Sequence, residues 1–150
     1  MVKMELSRIL IRELEDLQLI ELREVLQRAP SEDDPARQPR SFPIVIGLPE
    51  AQAIERRLKG IEVKRPQTHD LLANVIERLG ATLEAIELYD LSEHTFYARL
   101  VLRAADGSRV DVDSRPSDAI ALGIARGAAI LVAEHVLDSA MRDPDDEATL

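Results

Sequence analysis

From Thr95 to Arg103 the chain reads "TFYARLVLR", with Phe96, Ala98, Leu100 and Leu102 alternating with Tyr97, Arg99, Val101 and Arg103. Side chains of a strand point to opposite faces in turn, so this spacing predicts a strand with one buried face. The stretches on either side, "TLEAIELYDL" and "SRVDVDS", read as strands too, the latter joined across Asp106-Gly107, a hairpin dipeptide. A different period runs through "THDLLANVIERLG". There Leu71, Leu72, Val75, Ile76 and Leu79 recur every three or four residues and stop at Gly80, which predicts an amphipathic helix. "LPEAQAIERRLKG" predicts another helix, with Pro49 as first helical residue, Ala51, Ile54 and Leu58 on its apolar face and Gly60 as its stop. Upstream, "MELSRILIREL" and "LQLIELREV" flank Glu15-Asp16 and suggest a strand hairpin, although both could pass for short helices, and "FPIVIG" is a short buried strand closed by Gly47. Downstream come a third helix in "SDAIALGIARG", a last strand in "AAILVAE" and a closing helical turn in "HVLDSAM". Strands in pairs and threes imply an α+β fold, a mixed and largely antiparallel sheet with three main helices packed against it, rather than a doubly wound parallel sheet.

Composition narrows the picture. At 150 residues the chain is the length of one compact domain, here residues 1–141. With two Phe, two Tyr and no Trp, its core must be built from Leu, Ile, Val and Ala. Cysteine is absent, which removes disulfides, thiolate metal sites and a thiol nucleophile together. Charges break the apolar residues of the first stretch, and no run of 18 apolar residues occurs, so neither a signal peptide nor a membrane span is read and a cytoplasmic protein is expected. The net charge of −9 argues against strong nonspecific nucleic-acid binding. Much of that acid lies in "PSEDDPARQP" and in the tail, so residues 30–40 are expected to be a mobile Pro-rich loop and residues 142–150 a disordered tail.

Candidate chemistry centres on a repeated phrase: "RPQTHDLL" from Arg65 and "RPSDAIAL" from Arg115. Thr68 and Ser117 suit helix N-caps, and Asp70 and Asp118 in the first turn complement the helix dipole. Helix punctuation explains neither His69 nor the Arg before each Pro. A helix start also attracts anions, and Arg65 and Arg115 would grip a phosphate with forked donors. In "VDVDSRPSD", Asp111 and Asp113 share one strand face close to Asp118, a grouping of carboxylates that a magnesium or manganese ion could use. The three histidines, His69, His94 and His135, have no zinc-ligand spacing, and no phosphate loop, dinucleotide fingerprint or Gly-x-Ser-x-Gly elbow occurs.

Four segments in order, "FPIVIGLPEAQAI", "RPQTHDLL", "YDLSEHTFYARLVL" and "DSRPSDAIALG", resemble the bifunctional nuclease family over about Arg40 to Met141. The resemblance implies a compact α+β domain that forms homo-oligomers and hydrolyses phosphodiester bonds of RNA and DNA. On the motif residues here, His69, Asp70, Arg115 and Asp118 would be catalytic, with His69 as general base or acid. Arg65, Thr68 and Ser117 would contact substrate, and Asp70, Asp113 and Asp118 would hold Mg2+ or Mn2+. The long acidic connection before "SFPIVIG" and the acidic tail depart from the family pattern, and both would repel nucleic acid. The competing reading is a noncatalytic oligomeric binding or regulatory module. In that module His69 packs against the core and the Asp residues lie apart, whereas a nuclease needs them to converge.

Overall fold

The computed structural model describes residues 1–12, 14–15, 17–26 and 37–142. The strands are β1 (Val2–Leu10), β2 (Gln18–Glu24), β3 (Ser41–Ile46), β4 (Thr82–Ser92), β5 (Thr95–Arg103), β6 (Arg109–Ser114) and β7 (Ala129–Val132). The helices are α1 (Leu48–Leu58), α2 (Thr68–Arg78), α3 (Pro116–Gly123), continued by a 3₁₀ turn at Ile124–Arg126, and α4 (Glu134–Ala140). The anticipated closing turn is thus a helix of seven residues.

All seven strands form one sheet in the order β3-β2-β1-β7-β4-β5-β6. Only β4 and β7 run parallel; every other neighbouring pair is antiparallel. The architecture is therefore α+β with a mixed sheet. Two three-stranded meanders, β1 to β3 and β4 to β6, are joined by the short β7 between them. Local chemistry fixes the turns. The buried Gln18 side chain donates to the carbonyls of Arg12 and Glu15 at 2.9 and 2.8 Å and accepts from the Arg12 N–H, closing the first hairpin. At the β5–β6 turn Gly107 has φ +86°, a left-handed value that a Cβ would strain, and Ser108 donates to Asp106.

Paired strand residues share a face, so Ile86 with Leu100 and Leu88 with Ala98 mark the side of the sheet that faces the core. Against it lies α3, whose Ala119, Ile120, Ala121 and Leu122 are no more than 2% exposed. Contact is close: a Cβ on Gly123 would meet the Ile86 Cδ1 at 2.4 Å. Phe42 and Phe96 stack over the same core with ring centroids 5.6 Å apart. The opposite face carries charge. There Glu87 pairs with Arg99 and Arg109 at 2.8 and 3.0 Å, and Arg99 lies 4.8 Å from the Tyr89 ring centroid. At the end of β2, the middle strand of the first meander, the buried Glu24 is held by Arg40 and Arg37. Burial pushes its pKa up, but the hydrogen bonds and charges of the two guanidiniums outweigh that and hold it below the usual carboxylate range.

The amphipathic helix of the sequence is present as α2, but its orientation reverses the usual arrangement. None of its residues is buried, and Leu71, Leu72, Val75 and Leu79 are 56, 43, 44 and 75% exposed. Ala73, His69 and Ile76 turn toward the protein instead. In α1, likewise, Ala51 and Ile54 are buried as the pattern required, while Leu58 is half exposed. Of the expected Pro-rich loop, residues 30–36 lie outside the described residues, while Arg37 and Arg40 are held on Glu24; of the expected tail only Arg142 is described.

Candidate active site at two joined helix starts

Helices α2 and α3 run side by side in the same direction. His69 meets Asp118 and Glu77 meets Arg126, each pair 49 residues apart, and between them Ala73 and Ile76 share a cavity wall with Leu122. A constant offset along two helices means parallel axes, so both N-termini open at one place. The two Arg-Pro phrases are neighbours in space.

Their caps differ from the sequence reading by one residue or more. The N-cap of α2 is Gln67, so Pro66 precedes the cap and Thr68 is the first helical residue. For α3 the N-cap is Arg115, Pro116 is the first helical residue and Ser117 the second. Neither Thr68 nor Ser117 caps its helix. Both Asp70 and Asp118 then stand third, the position from which a carboxylate can reach back to the cap. Asp70 does so, accepting the Gln67 N–H at 3.0 Å. Its other oxygen takes a 2.7 Å bond from Arg57 of α1, a side chain 9% exposed whose second guanidinium arm donates to the Ala53 carbonyl. Burial lowers the Arg57 pKa, and the Asp70 charge offsets part of that.

Among the described residues Asp118 binds side chains only. His69 Nε2 lies 2.8 Å from Oδ1, and the Arg115 Nε donates to Oδ2 at 2.9 Å. The same guanidinium donates to Glu50 Oε1 at 3.0 Å, and these two hydrogen bonds raise its pKa and keep it charged. The His69 side chain is 16% exposed, that of Arg115 66%. Arg65 and Thr68 are exposed at the same opening, and Arg65 has no ion pair among the described residues. The site is thus a chain of contacts, His69–Asp118–Arg115–Glu50, with the Asp70–Arg57 pair beside it.

Of the residues singled out from sequence, His69, Asp118 and Arg115 are in direct contact, and Asp70 is adjacent but engaged with α1. Ser117 is 6% exposed and turns into the core, which removes it from the substrate-facing set. Asp113 is elsewhere. It pairs in register with Arg99, which puts it on the charged face of the sheet, where the Tyr89 hydroxyl donates to it at 2.9 Å and has its own pKa raised by that bond and by burial. Asp111 is paired with Arg109 on that face. Asp70, Asp113 and Asp118 therefore do not fit a shared ion: each is occupied by a cation or donor of the protein. Among the described residues no group of three or more His, Asp or Glu side chains is placed to hold a metal.

Sequence reasoning missed Glu50, Arg57 and Gln67. Glu50 follows Pro49 in a first turn, a place where an acid is favoured for the dipole alone. Arg57 gave no signal, because its role depends on α1 crossing the start of α2.

A mixed sheet backed by helices, with a histidine–carboxylate–guanidinium cluster where two helices begin, defines an α+β protein with a polar site at joined helix starts. The chain belongs to the bifunctional nuclease domain family, whose model matches residues 33–145. It is similar to two proteins of Mycobacterium tuberculosis, Uncharacterized protein MT1877 of strain CDC 1551 / Oshkosh and Uncharacterized protein Rv1829 of strain H37Rv. Each is 40% identical over 114 residues, which is 73% of this chain and 67% of the relative. Among the described residues no helix is long and apolar enough to cross a membrane.

Proposed function

We propose that the joined starts of α2 and α3 bind a phosphodiester of RNA or DNA and hydrolyse it, with His69 as general base. The observation that carries this reading is the His69–Asp118 contact of 2.8 Å with Arg115 on the second carboxylate oxygen. Asp118 accepts the Nε2–H, which fixes the ring and leaves the lone pair on Nδ1, the arrangement by which a carboxylate orients a catalytic imidazole. DNA has no 2′-hydroxyl, so an activity on both polymers takes water as nucleophile. Its oxygen bonds to phosphorus while Nδ1 accepts its proton. The P–O bond to the leaving sugar then breaks, and the imidazolium returns the proton to that oxygen.

The developing negative charge on the phosphoryl oxygens would be met by the Arg65 guanidinium, the Thr68 hydroxyl and the backbone N–H groups of two helix starts. Locally, Arg57, Arg65 and Arg115 balance Glu50, Asp70 and Asp118, so the overall acidity of the chain is not concentrated here. No step is assigned to Mg2+ or Mn2+, since every proposed ligand already has a partner of its own.

The test is cleavage of single-stranded RNA and DNA oligonucleotides by purified protein in magnesium, in manganese and in chelator, for wild type and His69→Ala. Cleavage that survives chelation and falls about a hundredfold in His69→Ala supports the assignment. Activity abolished by chelator sends the ion back to the site. If both proteins lack activity in every buffer, the cluster is a structural cap and the family fold serves binding alone.

A further inference from the structure

Three of the four described helices carry an acid at their third residue: Glu50 in α1, Asp70 in α2 and Asp118 in α3. A carboxylate there can turn back to the cap N–H of its own helix, and Asp70 does so. Among the described residues Glu50 and Asp118 do not, and both turn to the Arg115 guanidinium instead.

Arg115 is thus a bridge. Its Nε donates to Asp118 Oδ2 at 2.9 Å, while its Nη2 lies 2.8 Å from that oxygen and donates to Glu50 Oε1 at 3.0 Å. A lone exposed ion pair holds a long side chain weakly, because ordering it costs about as much as the pair gains. The Arg115 side chain is 66% exposed and that of Glu50 only 16%, so the fixed end of the bridge is in α1.

Gly47, the α1 cap, shows how Glu50 is seated. Its φ of −79° and ψ of 160° suit any residue, so conformation does not call for glycine. Space does. A Cβ on Gly47 would stand 2.5 Å from Glu50 Oε2, so the carboxylate lies against the bare backbone of the cap with its other oxygen on Arg115.

We infer that Glu50 is a positioning residue of this site: through Arg115 it keeps Asp118 out of the capping conformation seen at Asp70 and turned toward His69. Once Glu50 lets go, the guanidinium swings into solvent, Asp118 folds back onto the Arg115 N–H, and His69 loses the acceptor of its Nε2–H. The effect on cleavage rests on the reading of His69 as general base, whereas the placement of Arg115 and Asp118 does not.

The test uses the full chain and two readouts. In heteronuclear NMR the wild-type Arg115 Nε–H should give a distinct, slowly exchanging signal. Glu50→Ala should broaden it into exchange with water. Gly47→Ala should do the same, since it changes no charge but displaces the same carboxylate. On single-stranded RNA and DNA oligonucleotides both variants should lower kcat about tenfold with KM unchanged, because a displaced Asp118 still samples its working position part of the time. Glu50→Gln, which keeps an oxygen for Arg115, should fall between wild type and Glu50→Ala. Glu55→Ala, whose carboxylate pairs with Lys59 elsewhere on α1, should match wild type in both readouts. An Arg115 signal unmoved in Glu50→Ala overturns the inference, as does an active wild type whose kcat survives both substitutions. A wild type that cleaves nothing sinks the nuclease reading alone, and the Arg115 signal then decides for or against Glu50.

Discussion

The starts of α2 and α3 are written almost alike, Arg-Pro followed by a hydroxyl residue and an Asp, yet they do different work. In α2 the proline precedes the cap, and the third-position Asp70 secures the backbone and the Arg57 anchor from α1. In α3 the proline is inside the helix, the residues behind it are buried in the core, and Asp118 has no backbone partner among the described residues. Its carboxylate is free to hold His69 and Arg115. The comparison teaches that the aspartate of one phrase secures its own helix start while that of the other holds side chains across to its neighbour, and that the histidine linking them belongs to the first by sequence and to the second by contact. A helix rigidly packed on the sheet is the better platform for a group that must hold its position.

The sharpest way to break this division is to remove each aspartate in turn. Asp118→Asn should lower nuclease activity about a hundredfold, as should His69→Ala, with little change in melting temperature. Asp70→Asn should leave activity within a few-fold of wild type, and equal losses at the two positions would erase the distinction. Next in size is a stability effect confined to α2. Arg57→Ala removes a buried cation and leaves Asp70 short of its partner, so chemical denaturation should show a loss of about 2–3 kcal/mol with the slope unchanged. Activity should fall less than tenfold.

Acid titration supplies a reference remote from both helix starts. Because the Glu24 pKa is depressed in the fold, its stabilisation is complete above the free glutamate value near 4.3 and drains away as pH falls from there through the folded value. Unfolding curves from pH 6 down to pH 3 should steepen in that window for wild type and less so for Glu24→Gln, whose carboxamide does not ionise; identical slopes would mean other carboxylates dominate. The smallest effect is a correction to the sequence reading. Thr68 is exposed and one residue inside the cap, so Thr68→Ala should cost less than about 0.5 kcal/mol rather than the 1 kcal/mol of a lost N-cap. A larger loss would restore its capping role.

The elements themselves were legible because each carries its own period and its own stop. The alternation at 96–103, the Asp106-Gly107 turn and the Gly80 stop all reappear in the structure. Direction was not legible. The period of α2 shows that one face is apolar without showing that this face looks outward, since only packing against α3 decides which side is covered. Asp113 is a second example: alternation put it beside Asp111 correctly, but that this side of β6 is the charged side of the sheet follows from its pairing with Arg99 of β5 and from nothing within β6. The His69–Asp118 contact depends on two helices running parallel 49 residues apart, and no local spacing records that. A neighbouring pair of caps could be suspected from the repeated phrase; the partners drawn from α1 could not.

Strand β7 gives the molecule a particular schedule. It is four residues long, it holds three pairs with β1 and four with β4, and it is the last of the described strands to be synthesised while lying at the middle of the sheet. Until Ala129 to Val132 leave the ribosome, the first meander and the second have no strand in common. Each then presents an unpaired edge, β1 on one side and β4 on the other, through most of translation. The two halves can form early from local hairpins, but joining them waits for a contact more than 120 residues distant from β1, the kind of late, nonlocal closure that slows folding. A nascent chain held just short of β7 is therefore where aggregation, or a chaperone, should find this protein.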